Sequence, residues 1–283
     1  MKNLSIVKLS LLSGLFAFTV ACSDDDADII PPPAESCTDG IQNQNETGID
    51  CGGVCAACPT TPDPVTLSGL LNSPSELNLT NDRIYFLSGR VVVAAGSTLN
   101  IAPGTIIKGL EGTGSLAAAL IVQRGSKINA IGTAAQPIIF TSEQDNIQVG
   151  QTAGTNLDEN DNGLWGGLLV LGSAPCSLSG DVVETQIEGI PASDSFGLYG
   201  GTNAADDSGD IAYVSIRHGG AIIGESNEIN GLTLGGVGSG TSISHVEIVG
   251  NEDDGLEIFG GSVDVSNVLV WAGGDDSIDL DQA

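Results

Sequence analysis

Beyond residue 80 the apolar positions come in short runs separated by Gly, Ser, Asn and Asp, and no 3.6-residue periodicity survives across them. The runs recur. "VVVAAGSTLN" and "LIVQRGSKIN" superpose at an offset of 29, with Val93 on Val122, Gly96 on Gly125, Leu99 on Ile128 and Asn100 on Asn129. Further on, "NGLTLGG", "DGLEIFGG" and "DSIDLDQ" repeat at 24 and then 22 residues. Units of this size built from short strands predict a parallel β-helix, in which each coil buries its apolar face only by stacking on the next. Leu232, Leu256 and Ile278 then form one inward column and Leu234, Ile258 and Leu280 a second. Thr233, Glu257 and Asp279, lying between those columns, point outward because strand side chains alternate faces. The polar stretches 143–162 and 191–210 read as loops inserted between coils, where binding usually resides. The repeat stops mid-unit at "DLDQA", with no polar cap for the last strand edge, so the chain is expected to continue in a longer protein.

The same register raises a chemical question. "NEDDGLEIFGG" over "GGDDSIDLDQ" sets Asp253 on Asp275, Asp254 on Asp276 and Glu257 on Asp279. Stacked coils lie about 4.8 Å apart, and like charges at that distance repel by roughly 3 kcal/mol at an effective dielectric of about 20. Three resolutions remain open: a bound Ca²⁺ held by these six carboxylates, protons shared between raised-pKa pairs, or fully solvated turns in which Asp is present for its turn chemistry. Calcium is the cofactor the pattern favours.

Charge narrows the partners. The chain of 283 residues has 36 Asp plus Glu against 8 Lys plus Arg, a formal charge of −28, and after Arg217 there is no Lys or Arg at all. Nucleic acid and anionic membrane surfaces are repelled; cations, neutral glycans and basic proteins are not.

The N-terminus predicts export. "MKNLSIVKLSLLSGLFAFTVAC" combines Lys2 and Lys8 with a short apolar stretch and small residues before Cys22, a secretory leader over 1–21 that is too short to span a bilayer. Its end resembles a bacterial lipobox, although Thr19 stands where that pattern usually has Leu; the resemblance implies acylation of Cys22. Residues 22–36, "CSDDDADIIPPPAES", are an acidic, Pro-rich tether. Cys37, Cys51, Cys55 and Cys58 then fall within a small secreted segment, 37–58, that cannot build its own core, which predicts two disulfides in one of three connectivities. Zinc is the competing reading of the Cys55–Cys58 pair, and the oxygens of Asp39, Asn43, Asn45, Glu46 and Asp50 do not fit a helix–loop–helix calcium spacing. A linker, 59–66, leads to the β-helix over 67–283.

The wording of several segments adds a resemblance. "GTIIKG", "ALIVQRGSKINAIGTAAQPIIFTSE", "GLWGGLLVLGSAP", "YVSIRHGG" and "NEDDGLEIFGGSVDVSNVLVWAGGDDSIDLDQ" are similar, over roughly 83–283, to Bacteroidota-type extracellular β-helix lipoproteins. The stretch "CTDGIQNQNETGIDCGGVCAACP" resembles a Cys module near the N-terminus of such surface proteins. The resemblance implies an all-β, right-handed parallel β-helix behind a lipoprotein leader, displayed on the extracellular face of the outer membrane through Cys22, with secretion or a periplasmic location as the alternative. No activity comes with it.

Function classes follow from residue chemistry. Trp165 in "GLWGG" and Trp271, predicted to face outward, are candidate sugar-stacking platforms, the competing reading being burial under a loop. Arg217 and His218 align on the column of Val249 and Trp271 rather than on the aspartates, so they do not complete a lyase or polygalacturonase constellation and read as structural. Cys176 reads as a small buried residue. The expectation is a non-catalytic binding or adhesion scaffold for a polysaccharide or cell-surface ligand, with no catalytic residues assigned. The alternative is a β-helix polysaccharide lyase or glycoside hydrolase acting on acidic polysaccharide.

Overall fold

The computed structural model describes residues 37–38, 42–43, 45–48, 50–58, 60–73, 75–222 and 229–282. The leader, Cys22 and the acidic tether lie outside the described residues. The chain divides into two compact units, Met1–Pro59 and Thr60–Ala283. In the first, Cys37 pairs with Cys55 and Cys51 with Cys58, which settles the connectivity the spacing left open and uses all four thiols.

The second unit is a parallel β-helix. Its strands are β1 (Val65–Leu71), β2 (Glu76–Leu79), β3 (Ile84–Val93), β4 (Thr98–Ile101), β5 (Ile106–Gly109), β6 (Ala119–Val122), β7 (Lys127–Ile131), β8 (Ile138–Ser142), β9 (Leu168–Leu171), β10 (Thr185–Gln186), β11 (Leu198–Tyr199), β12 (Gly209–Arg217), β13 (Leu232–Gly235), β14 (Ser242–Asn251), β15 (Leu256–Phe259), β16 (Asp264–Gly273) and β17 (Ile278–Asp281). Among the described residues no helix is long and apolar enough to cross a membrane.

Three parallel ladders run along the axis. The first joins β2, β4 and β7 to the leading arms of β12, β14 and β16. The second joins the leading arm of β3 to β5, β8 and the trailing arms of β12, β14 and β16. The third joins the trailing arm of β3 to β6, β9, β13, β15 and β17. The repeats legible in the sequence are these registers: Val93 pairs with Val122, Asn100 with Asn129, Leu232 with Leu256, and Leu256 with Ile278.

Inward residues of all three ladders merge into one core, including Leu99, Val122, Ile128, Leu232, Leu234 and Ile248, each 2% exposed or less. Burying each such side chain contributes roughly 1.5–3 kcal/mol. One corner needs no loop. Tyr213, His245 and Asn267 each take a left-handed φ of 50 to 55° and swing the long strands from the first ladder to the second. His218, Gly250 and Ala272 are also left-handed at the end of the second ladder, where turns lead on to the third. Left-handed backbone costs a non-glycine residue about 1 kcal/mol or more, and the Tyr213 and His245 rings stack at 4.4 Å between centroids, an interaction that offsets part of it.

Two inserts cover outward faces: the first begins at the polar stretch expected from 143, whereas the second leaves the coil after Leu171, well before the stretch expected over 191–210. The first, between β8 and β9, lays Ile147 on Ile106 and Ile139 of the second ladder. The buried Lys108 donates to the Asp145 carbonyl (2.6 Å), and Thr141 Oγ1 to Asp145 Oδ2 (2.9 Å). The second insert, between β9 and β12, is longer than its polar part. Its apolar residues Ile187, Ile190 and Tyr199 pack on Ile121, Leu169, Leu171 and Phe259, so the outer face of the third ladder is a second apolar layer.

Candidate functional site

Outward residues on a β-helix stack at one spacing whatever their chemistry, and the chemistry decides whether the stack is satisfied. At one corner of the first ladder Asn78, Asn100 and Asn129 form an amide column: Asn100 Nδ2 donates to Asn78 Oδ1 (3.0 Å) and Asn129 Nδ2 to Asn100 Oδ1 (2.8 Å). An amide has both a donor and an acceptor; an ionised carboxylate has only acceptors. The acidic column on the third ladder has no such self-pairing.

That column is assembled in the predicted register, with Glu257 paired to Asp279. Oxygens of Asp253, Asp254 and Asp275 lie within 4.8 Å of one another, and so do those of Asp254, Glu257 and Asp279. The two groups share Asp254. Asp276 differs from expectation: its backbone N–H donates to Asp254 Oδ1 (2.8 Å), and its own carboxylate joins neither group.

The outward prediction for this column needs correction in one respect. Glu257 and Asp254 are each only 8% exposed and Thr233 only 2%, because the second insert covers the face they occupy. Fully solvated turns therefore do not describe Asp254 and Glu257, whereas Asp275 and Asp276 are exposed. The insert also contributes Glu188, whose carboxyl lies near that of Glu257. The sequence offered no signal for it, since 182–190 belongs to none of the repeats. Burial, reinforced by the neighbouring Glu188, pushes the Glu257 carboxyl up to about 8. Burial and the charges of Asp253 and Asp254 raise Glu188, and burial also raises Asp254 against the pull of the Asp276 N–H. The side chain of Asn230, itself 2% exposed, donates through Nδ2 to Glu257 Oε2, and its Oδ1 has no hydrogen-bond partner. Hard oxygen donors from Asp254, Glu257, Asp279 and Asp253 suit a Ca²⁺ ion, and a shared proton suits the Glu188–Glu257 pair.

A second feature lies on the outer face of the second ladder. There Arg217, Val249 and Trp271 stack in the predicted column. Trp271 is 58% exposed and lines a groove of about 200 Å³ with Asp158, Glu159, Arg217 and Glu247. Arg217 is held on three sides: Nε donates to Ser215 Oγ (2.7 Å), Nη1 to the Thr152 carbonyl (3.0 Å) and Nη2 to Glu247 Oε2 (3.4 Å). His218 is 4% exposed, with Nδ1 2.6 Å from the Asp161 carbonyl. Both serve as braces, as their column suggested.

Trp165 is a correction. It is fully buried, its ring stacks on Phe140 at 6.4 Å and Nε1 donates to the Arg217 carbonyl (2.7 Å), so it offers no face to a sugar. The first insert's anchoring over the second ladder, together with the close approach of Gly109, encloses it. Cys176 is a free, half-buried thiol whose pKa burial raises.

A known family matches most of the chain. Residues 69–283 fit the pectate-lyase-like β-helix domain. The chain belongs to that family. No curated protein matches the chain, and no solved structure matches it. Membership in the pectate-lyase-like β-helix family carries the architecture, while the chemistry has to be read from the two sites above.

Proposed function

We propose that this chain is a non-catalytic saccharide-binding β-helix, carried on the outer face of the outer membrane by a lipid on Cys22 and stiffened by Ca²⁺ at the acidic column. The observation that carries the reading is the exposed indole of Trp271 at the mouth of a groove whose floor is braced. A sugar ring stacks its apolar face on such an indole, and the fixed guanidinium and carboxylates beside it offer directional partners for hydroxyls. Arg217 supports binding, because three of its N–H groups hold it in place and the two that remain can meet a sugar hydroxyl. Calcium fits the column because two three-oxygen groups share Asp254 across adjacent coils, a spacing that one or two hard cations can bridge. Glycan-array binding followed by titration of the hits against Trp271→Ala tests the reading: affinity lost with the indole supports it, and affinity indifferent to the indole refutes it.

One observation favours a second reading. Glu257, kept protonated near neutrality by burial, has the Asp254 and Asp279 carboxyls within reach, the pairing of a proton-donating carboxyl with a second carboxyl that glycoside hydrolysis uses. Incubation with polysaccharides and assay of new reducing ends, or of unsaturated ends for a lyase, separates the two: product that disappears in Glu257→Gln establishes the hydrolase, and binding without product establishes the scaffold.

A further inference from the structure

The groove at Trp271 is half of a longer feature. The stacked rings of Tyr213 and His245 line a second recess of about 350 Å³, and the two recesses share Arg217 and Glu247. The column of Tyr213 and His245 lies four positions before that of Trp271, about 13 Å along the strand, with successive coils about 4.8 Å apart, so the indole and the stacked pair flank one ion pair at a span of more than one sugar ring. Neither Tyr213 nor His245 belongs to the repeats legible in the sequence. Their left-handed backbone at the ladder corner turns them toward this face.

The charge of this face is unbalanced. Among the described residues Arg217 is the one Lys or Arg lining the Trp271 groove, and Glu247 already pairs with it. Asp158 and Glu159 remain, on the loop opposite Trp271. Asp158 is fixed in its ionised form, because the backbone and side-chain N–H groups of Asn160 both donate to it and hold its carboxyl below the usual range. An anionic glycan entering here meets carboxylates in excess of the guanidinium, which is already paired with Glu247. A ligand carrying ammonium groups meets the opposite.

Resting on the saccharide-binding reading above, we infer that this groove selects saccharides bearing free amino groups and discriminates against uronic acids. The indole and the Tyr213–His245 pair supply sequence-tolerant stacking for two rings spaced apart along one oligosaccharide. Asp158 and Glu159 supply the discrimination by charge.

The test is calorimetric titration of the full chain with three oligosaccharide series matched in length: β-linked glucosamine, the same oligomers fully N-acetylated, and oligogalacturonate. At about 0.1 M salt the amino series is expected to bind roughly fivefold to tenfold more tightly than the acetylated one, the scale of one or two exposed charge pairs, with galacturonate weakest. Raising salt to about 1 M, which shortens the Debye length from about 10 Å to about 3 Å, collapses that preference while leaving the acetylated affinity nearly unchanged. The double variant Asp158→Asn/Glu159→Gln removes the preference without weakening the acetylated series, and Trp271→Ala weakens all series about fivefold. Galacturonate binding as tightly as the amino series in a Trp271-dependent manner overturns the charge selection and leaves the saccharide reading standing. Equal affinity for the amino and acetylated series does the same. Absence of binding by every series overturns the saccharide reading itself.

Discussion

Replacing Glu257 with Gln makes the electrostatics of the acidic column measurable. The Glu257 carboxyl moves from its ordinary 4.5 to about 8 on folding. A carboxyl whose pKa rises on folding holds its proton more tightly in the folded chain, so the folded state gains stability as pH falls from about 8 to about 4.5 and loses it as pH rises through that window. The full shift of about 3.5 units corresponds to roughly 5 kcal/mol at 1.36 kcal/mol per unit. Water reaching the column through the exposed Asp275 and half-buried Asp279 reduces that, and about 2–3 kcal/mol is the expected cost of ionising Glu257. Gln keeps the shape and the Asn230 contact and never ionises. In EDTA, the midpoint of the wild-type chain should fall by roughly 5–10 °C between about pH 5 and about pH 9, using 2–4 °C per kcal/mol for a domain of this size. The Glu257→Gln chain should lose most of that slope. Thermal unfolding followed by circular dichroism across this range decides it. Equal slopes for the two proteins, or a wild-type midpoint that rises toward pH 9, refute the assignment of a buried, proton-holding carboxyl to this position.

Millimolar Ca²⁺ should raise the wild-type midpoint at neutral pH, by about 2.7 kcal/mol at a hundred times the dissociation constant, and Asp254→Asn/Asp279→Asn should abolish the rise in a thermal-shift titration. Trp165→Ala, which empties a fully buried site stacked on Phe140, should cost about 3–5 kcal/mol in denaturant unfolding, whereas Trp271→Ala on the open groove should cost less than about 1 kcal/mol. Mass spectrometry of a non-reduced digest should recover Cys37 linked to Cys55 and Cys51 linked to Cys58, with Cys176 alkylated only after unfolding.

What the sequence made legible was whatever the coil repeat controls. Leu232, Leu256 and Ile278 fall in register because stacking forces equivalent residues onto one another, so a 24- and 22-residue offset in the text becomes a ladder in space. Arg217, Val249 and Trp271 follow by the same logic. Contacts that skip the repeat were not legible. Glu188 reaches Glu257 from an insert whose path is set by Ile187 and Ile190 seeking the outer apolar face of the third ladder, and no periodicity records that choice. Trp165 misled for a related reason. Its neighbours Gly166 and Gly167 let the Ala118 and Asn230 carbonyls approach closely, and nothing in the repeat marks that enclosure of the indole. Tyr213 and His245 escaped notice because a left-handed corner inside a strand has no mark when the residue is not glycine.

The second insert leaves the solenoid between β9 and β12, yet its attachments are spread along the axis. Arg90 on β3 reaches Asp194, Arg124 after β6 reaches Glu184 and the Gly200 carbonyl, and Tyr199 Oη donates to Gln282 beyond β17. In a bare solenoid each coil reports only to its neighbours, and unravelling can begin at either end and stop anywhere. A strap laid lengthwise makes the first and last coils share a fate. Tension applied along the axis would have to stretch this strap as well as peel a strand, so the insert resists the opening of any single coil.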